Sequence, residues 1–151
     1  LYSVQIDPNE IPAIEAMGVA NVKSLGEIAE PIDYVVLAVP RPVVPRVLAD
    51  CAAARVGAVT AFTAGFGETG DPEGLRLEEQ IAALVRDADY AFVGPNCMGL
   101  ANPGIGLCNF PGEATGAAVA GGVGFLGQSG THTIAFLMRA AAQGVGVSKA
   151  A

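Results

Sequence analysis

Residues 33–40 read DYVVLAVP, a continuous run of apolar and mostly β-branched residues that ends in proline. Strands with apolar side chains on both faces are typical of a parallel sheet covered by helices on its two sides. Two further runs of this kind follow, at residues 57–62 and 90–93. Residues 33–39 are therefore predicted to form a buried parallel strand, and the two later runs are predicted to be its partners.

Helical patterns lie between these strands. Residues 42–54 carry an apolar stripe, and Pro42 suits the first turn of a helix. Residues 73–88 repeat leucine, isoleucine and valine at helical spacing, with glutamate and arginine on the other face. This alternation predicts right-handed βαβ crossovers and an α/β fold built on a doubly wound parallel sheet.

The flanking regions predict an incomplete two-domain organisation. A short strand at residues 2–6 ends at Asp7-Pro8, with no phosphate-binding turn before it. Residues 94–112 are rich in glycine and proline. Residues 113–121 have small side chains and little pattern, which indicates a linker. A strand at 122–127, a helix at about 131–143 and a strand starting at 145–148 would begin a second unit. We therefore expect a first domain at 1–112, a linker at 113–121 and the start of a second domain at 122–151.

Composition excludes several classes of protein. The 151 residues are 52% hydrophobic and carry a formal charge of −7, which argues against disorder and against general nucleic-acid binding. No apolar run is long enough to cross a membrane, and the N-terminal residues do not resemble a signal peptide. Three cysteines without a pairing pattern indicate a reduced, cytoplasmic protein. One histidine makes a catalytic triad or a multi-histidine metal site improbable, so no metal ligand is predicted.

Four of the strand ends carry unusual residues. Ligands of doubly wound sheets bind beyond the carboxyl ends of the strands. Proline fixes the direction of the exit, and glycine lets a flat ligand approach the backbone. Any single α/β loop needs such residues for structural reasons, but their agreement at four ends predicts a crevice for a nucleotide-like molecule. The four stretches are Asp7-Pro8, residues 39–41 (VPR), 63–66 (TAGF) and 94–97 (GPNC).

A second signal lies in GQSGT, residues 127–131, between a predicted strand and a predicted helix. Ser129 can cap the helix, and the N–H groups of its first turn can bind an anion such as a phosphoryl group. An ordinary capped helix after a tight turn is the competing interpretation.

Three side chains near these stretches have two interpretations each. Cys97 could be a reactive thiol, although packing is favoured because no neighbour in sequence would activate it. Glu68 could orient a ligand hydroxyl or take part in its own turn. His132 is expected to face solvent or ligand rather than to act as a base.

Taken in order, four motifs resemble a known family. They are VVLAVP (35–40), TAGFGETG (63–70), VGPNCMGLANP (93–103) and GFLGQSGTHT (124–133). This ordered set is similar to the NDP-forming acyl-CoA synthetases, which include the succinyl-CoA synthetase alpha subunit and the ADP-forming acetyl-CoA synthetases. The resemblance implies a Rossmann-like CoA-binding domain, truncated at its N-terminus, followed by the first βα unit of a flavodoxin-like ligase domain.

The resemblance also implies site residues. Pro8 falls where the family has a strand ending in Asn-Pro, and Arg41 could replace the basic residue that often follows there. The Ser-Gly turn of the family steadies a phosphohistidine, which implies Gln128, Ser129, Gly130 and Thr131 at the phosphoryl group. The implied CoA-binding residues are Pro8, Val39, Pro40, Arg41, Thr63, Ala64, Gly65, Phe66, Glu68, Asn96 and Cys97.

The family reaction joins a carboxylic acid to CoA through a phosphohistidine and an acyl phosphate. The family histidine would lie beyond residue 151, and His132 does not occupy its position, so this chain alone is expected to be inactive. The glycine turn that serves CoA before the first strand is missing here. The resemblance further implies ATP or ADP and Mg in the full-length parent, an ATP-grasp domain or subunit as partner, and a possible homo-oligomer, with no nucleic acid or membrane.

Two other functions stay open on the sequence. The chain could be a regulatory domain that senses CoA or acyl-CoA and is fused to an acetyltransferase. It could also belong to a nicotinamide-dependent oxidoreductase, with Asp7 as the acid that binds the ribose. The latter would need a G-x-G-x-x-G turn N-terminal to Asp7; residues 1–6 contain no glycine, and the matches to this pattern at residues 65–70 and 122–127 lie after Asp7.

Overall fold

A computed structural model describes residues 1–112, 116 and 118–151. In this part of the chain, four α-helices alternate with strands, and no helix is both long and apolar enough to cross a membrane. The helices are α1 (Ile11–Ala16), α2 (Val44–Ala53), α3 (Pro72–Arg86) and α4 (Gly130–Ala142). The strands are β1 (Tyr2–Val4), β2 (Ala20–Val22), β3 (Tyr34–Leu37), β4 (Ala58–Ala61), β5 (Ala91–Val93), β6 (Ala101–Asn102), β7 (Leu107–Cys108), β8 (Ala120–Phe125) and β9 (Val147–Ala150).

The central sheet is parallel, with the order β3-β4-β5. In its register Val35 pairs with Val59, and Val59 pairs with Phe92. Helices α2 and α3 connect these strands and contact each other. Together they form the larger core, because apolar side chains of both helices and of the sheet are buried against one another: Leu37, Val44, Leu48, Cys51, Val59, Phe66, Leu77 and Ile81. This confirms the predicted α/β fold with a parallel, Rossmann-like sheet.

Strands from the two ends of the chain form other sheets. β1 pairs in parallel with β2, and β8 pairs in parallel with β9. β9 also pairs with β6, antiparallel, and β6 forms a short antiparallel hairpin with β7. A second core lies between this sheet and α4, around Phe110, Leu137 and Val147. Elements on both sides of the predicted linker therefore share one sheet, and the division into two domains stays a prediction.

The sequence missed the shortest elements. The hairpin of β6 and β7 lies within the glycine- and proline-rich residues 94–112, for which no strand was predicted, because two-residue strands are too short to show alternation. Helix α1 has six residues and no side-chain cap, and Pro12 in its first turn is the one start signal that marks it. Of the predicted linker, residues 113–115 and 117 lie outside the described residues. β8 begins at Ala120, two residues before the predicted start of its strand.

Candidate functional site

Hydrogen bonds tie the exits of the three central strands together. The Thr63 hydroxyl donates to the Val39 carbonyl at 2.6 Å. The Asn96 N–H donates to the Thr63 carbonyl at 2.9 Å, and the Cys97 N–H donates to the Ala61 carbonyl at 3.0 Å. Because the three strands are parallel, these exits form one rim at the carboxyl edge of the sheet. The structure thus brings together three of the predicted stretches, at residues 39–41, 63–66 and 94–97.

The middle exit, residues 63–71, is called here the Gly65 turn. Gly65 has φ of +100°, a region that side chains rarely adopt. The N–H groups of Gly65 and Phe66 donate to the two carboxylate oxygens of Glu68, at 2.6 and 2.9 Å. The Gly65 carbonyl accepts from Arg41 Nη1 at 2.5 Å. Side chains of the protein therefore fix the peptide groups on both sides of Gly65.

The Glu68 carboxylate faces its own turn. Partial burial acts to raise the pKa of Glu68, but the N–H groups of Gly65, Glu68 and Phe66 and the nearby Arg41 guanidinium lower it overall. Of the two interpretations offered by the sequence, the structure shows the one in which Glu68 takes part in the turn. Its predicted contact with CoA stays a prediction.

Phe66 also differs in placement from the other predicted site residues. Its side chain is 0% exposed and belongs to the larger core. A ligand at the rim could meet only its backbone, whose N–H is held by Glu68. Phe66 anchors the Gly65 turn to the core, while Ala64 stays exposed at the surface.

An ion pair links the Gly65 turn to the exit of β3. Arg41 Nη1 lies 3.0 Å from Asp71 Oδ2, and the Asp71 side chain caps α3 by accepting from the Gly74 N–H at 2.9 Å. The Thr69 hydroxyl donates to the same Asp71 carboxylate. The Thr69 hydroxyl, the Gly74 N–H and, less strongly, Arg41 lower the pKa of Asp71 from 3.8 to about 2. Sequence analysis did not single out Asp71, although Asp-Pro before a helical pattern is a recognisable cap.

A cavity of about 380 Å³ joins the last exit to the start of α4. Residues 93–99 line one side, including Asn96 and Cys97, and Gly127, Gln128 and Gly130 line the other. Two groups of residues predicted for different ligands, CoA and a phosphoryl group, therefore share one cavity.

Close packing at Gly130 brings these two groups together. A Cβ atom at Gly130 would lie 2.6 Å from Met98 Cβ, so a side chain at this position would push α4 away from the loop. The first turn of α4 can approach residues 94–99 because residue 130 is glycine.

Residues 127–131, called here the Ser129 turn, have the predicted cap. Ser129 Oγ accepts from the His132 N–H at 3.4 Å, at the first turn of α4. The N–H groups of Gly130 and Thr131 are the first two of the helix, and such groups have no intrahelical acceptor. His132 is exposed beside them, as expected of a residue that faces solvent or ligand.

Val39 and Pro40 line a second cavity, of about 580 Å³, between β1 and β3. Residues 3–6, 23–25 and 35–40 line it, together with Val43, Arg46, Val47 and Asp50 at α2. The predicted residues 39–40 and 94–97 thus line two separate cavities, whereas Arg41 and residues 63–68 line neither of them. Pro8 follows β1 and is exposed, outside both cavities.

Comparison with known proteins identifies the family of this chain and two of its relatives. A family model described as a CoA binding domain matches residues 4–103, and the chain belongs to this family. The chain is 33% identical over 147 residues to the alpha subunit of ADP-forming acetate–CoA ligase II from Pyrococcus furiosus, covering 96% of this chain and 31% of the relative. It is 36% identical over 138 residues to the ADP-forming acetate–CoA ligase of Methanocaldococcus jannaschii, covering 89% of this chain and 18% of that protein.

A solved structure shows the same similarity. The dinucleotide-forming acetyl-coenzyme A synthetase 1 of Ca. Korarchaeum cryptofilum, in complex with phosphate and ADP, superposes with a TM-score of 0.77 at 26% identity. The match covers 89% of this chain and 28% of that one. These relatives confirm the resemblance to NDP-forming acyl-CoA synthetases. The chain spans less than a third of the length of the relatives it matches, 31% and 18% for the two ligases.

Proposed function

We propose that this chain is the CoA-binding part of an ADP-forming acid–thiol ligase, in which CoA lies along the rim and a phosphoryl group lies at the Ser129 turn. The observation that carries the proposal is the shared cavity of about 380 Å³ between residues 94–99 and the start of α4. A ligase that makes a thioester from an acyl phosphate must bring a thiol and a phosphoryl group together. This cavity lies between residues predicted to bind CoA and residues predicted to bind a phosphoryl group.

The chemistry assigns different tasks to the two walls. In the final step the CoA sulfur attacks the acyl carbon, the bond from carbon to the phosphate oxygen breaks, and phosphate leaves with the electron pair. The N–H groups of Gly130 and Thr131, at the positive end of α4, suit the charge of the leaving phosphate. The loop at Asn96 and Cys97 would position the thiol end of CoA, so that binding supplies proximity and orientation.

The proposal extends to the protein that contains this chain. ATP or ADP with Mg would serve the phosphorylation step, and an ATP-grasp domain or subunit would be the partner. The phosphorylated histidine would be supplied outside these residues, because the sole histidine, His132, lies at the first turn of α4. A carboxylic acid as second substrate, a cytoplasmic location and a homo-oligomeric assembly belong to the same proposal.

A calorimetric titration tests the proposal directly. The protein that contains this chain is titrated with CoA, and NADH is titrated as a comparator. Saturable binding of CoA but not of NADH is expected, together with ATP formation that depends on acyl-CoA, ADP and phosphate. No heat at millimolar CoA would contradict the proposal. CoA binding without any such turnover would favour the CoA-sensing domain, and binding of NADH alone would favour the oxidoreductase.

A further inference from the structure

We propose that Asp71 is a positioning residue of the CoA site, acting through Arg41 on the carbonyl of Gly65. This inference rests on the proposed function, because it concerns how the Gly65 turn is held in the shape that CoA meets. Asp71 is the last residue of the Gly65 turn and the cap of α3, and it is not among the predicted site residues.

The first step is the geometry at Arg41. A single nitrogen, Nη1, donates both to the Gly65 carbonyl at 2.5 Å and to Asp71 Oδ2 at 3.0 Å. The two N–H bonds of Nη1 diverge at a fixed angle in a planar guanidinium, so engaging one of them with Asp71 directs the other. The Arg41 and Asp71 side chains are 31% and 40% exposed, which leaves Arg41 other orientations once its partner is removed.

The second step is the dependence of Gly65 on Arg41. The Gly65 carbonyl orients the peptide group that also carries the Phe66 N–H, and this N–H is bonded to Glu68. Arg41 Cδ lies 3.1 Å from the place a Cβ atom of residue 65 would occupy, so the arginine packs where the glycine has no side chain. Losing the direction of Arg41 would therefore loosen one side of the turn and leave the Glu68 side in place.

The third step is the anchoring of Asp71. Its carboxylate accepts from the Gly74 N–H and from the Thr69 hydroxyl in addition to Arg41. One carboxylate thus joins the start of α3, the end of the Gly65 turn and the exit of β3. Glu73, two residues later, carries the same charge on the same helical turn but pairs with Arg76, at 2.8 Å.

The experiment is a double-mutant cycle on CoA binding. Asp71→Asn keeps an oxygen that can cap α3 but removes the charge that holds Arg41. Arg41→Gln removes the guanidinium, and Glu73→Gln is the matched control for loss of a carboxylate from this helix. The four proteins and the double variant are titrated with CoA and with 3′-dephospho-CoA, and their thermal unfolding is recorded.

A partly exposed charge pair predicts a moderate effect. Asp71→Asn and Arg41→Gln should each raise the Kd of CoA about three- to fivefold, and the double variant should be no weaker than Arg41→Gln alone. The fold increase in Kd should be the same for 3′-dephospho-CoA, because a positioning residue does not contact the 3′-phosphate of CoA. Glu73→Gln should leave both Kd values unchanged, and Asp71→Asn should unfold within a few degrees of the unchanged protein.

Three results would overturn the inference, and a fourth would overturn its basis. The first is a Kd of CoA for Asp71→Asn equal to that for Glu73→Gln. The second is a double variant whose loss of CoA affinity equals the two single losses combined. The third is a loss of affinity for CoA with the affinity for 3′-dephospho-CoA unaffected. The last of these would make Arg41 a direct phosphate ligand. Failure of the unchanged protein to bind CoA would instead overturn the proposed function, which separates the two failures.

Discussion

The Gly65 turn and the Ser129 turn both follow a parallel strand, yet they are built differently. Arg41, Glu68 and Asp71 hold the first turn through side-chain bonds to the backbone and to one another. In the second turn, Ser129 Oγ accepts from the His132 N–H and the Thr133 hydroxyl donates to the Ser129 carbonyl, so no charged side chain of the described residues holds this turn. The first turn therefore presents a fixed shape to a ligand, whereas the second presents N–H donors. Changes of shape should harm the first, and changes of charge should harm the second.

Gly65→Val should have the largest effect on CoA binding, because it changes the backbone shape of a turn that side chains hold in place. A β-branched residue is strained at φ of +100°, and its Cβ would meet Arg41 Cδ at 3.1 Å. We expect CoA binding to fall below detection in calorimetry while the protein remains folded, since Gly65 lies at the surface edge of the sheet. Gly70→Val is the control, because Gly70 has φ of +68° but no neighbouring atom within 4 Å of the new Cβ. Retained CoA affinity in Gly65→Val would show that this turn is not at the ligand.

Gly130→Ala should have the next largest effect, because it pushes the Ser129 turn away from the loop at residues 94–99. The new Cβ would lie 2.6 Å from Met98 Cβ, so α4 or the loop must shift, at a cost of about 1–3 kcal/mol in the free energy of unfolding. Urea unfolding measures the loss, with Gly122→Ala as control, since a Cβ there would meet nothing within 4 Å. If Gly130→Ala and Gly122→Ala unfold alike, the packing at Gly130 does not matter.

Ser129→Ala should test the second turn alone. Loss of the cap should lower the free energy of unfolding by about 1 kcal/mol and slow phosphoryl transfer, with CoA affinity near normal. Ser129→Asp keeps a capping oxygen but adds a negative charge, so it should preserve stability and slow phosphoryl transfer further, by repelling the phosphoryl group. The measurements are urea unfolding, CoA titration and ATP formation. A loss of CoA affinity in Ser129→Ala as large as the loss of rate would contradict separate tasks for the two turns.

The sequence predicted the rim better than it predicted the interactions that hold it. Runs such as residues 33–39 mark buried strands, and parallel strands carry their exits to one edge, so Pro40, Gly65 and Asn96 could be placed together without coordinates. The partners of each side chain depend on distant contacts. The Asn109 amide, for example, donates to the Tyr34 hydroxyl at 2.9 Å across 75 positions of sequence, and no motif in the sequence pairs these two residues.

Phe66 and Glu68 show a second limit of the sequence. Phe66 and Glu68 lie in a motif that predicts ligand contact, but the motif does not distinguish residues that face a ligand from residues that shape the turn. The side chain of Phe66 is 0% exposed, and the carboxylate of Glu68 accepts from N–H groups of its own turn. Neither burial nor local geometry is encoded in the spacing of the motif.

The pH dependence of stability at Asp71 is the smallest expected effect, and it isolates the charge that the first turn uses. The pKa of Asp71 is lowered from 3.8 to about 2 in the folded protein, mainly by the Thr69 hydroxyl and the Gly74 N–H and in part by Arg41. A lowered carboxyl pKa means that the unfolded chain binds the proton more tightly, so the contribution is present above pH 4 and is lost as the pH falls towards 2. The difference in unfolding midpoint between the unchanged protein and Asp71→Asn should therefore be constant from pH 7 to 5 and shrink between pH 4 and 2. Ser129→Ala, which removes no charge, should show a difference that does not vary with pH. If the difference for Asp71→Asn were equally constant down to pH 2, the charge of Asp71 would not stabilise the first turn, and neutral hydrogen bonds alone would hold its shape.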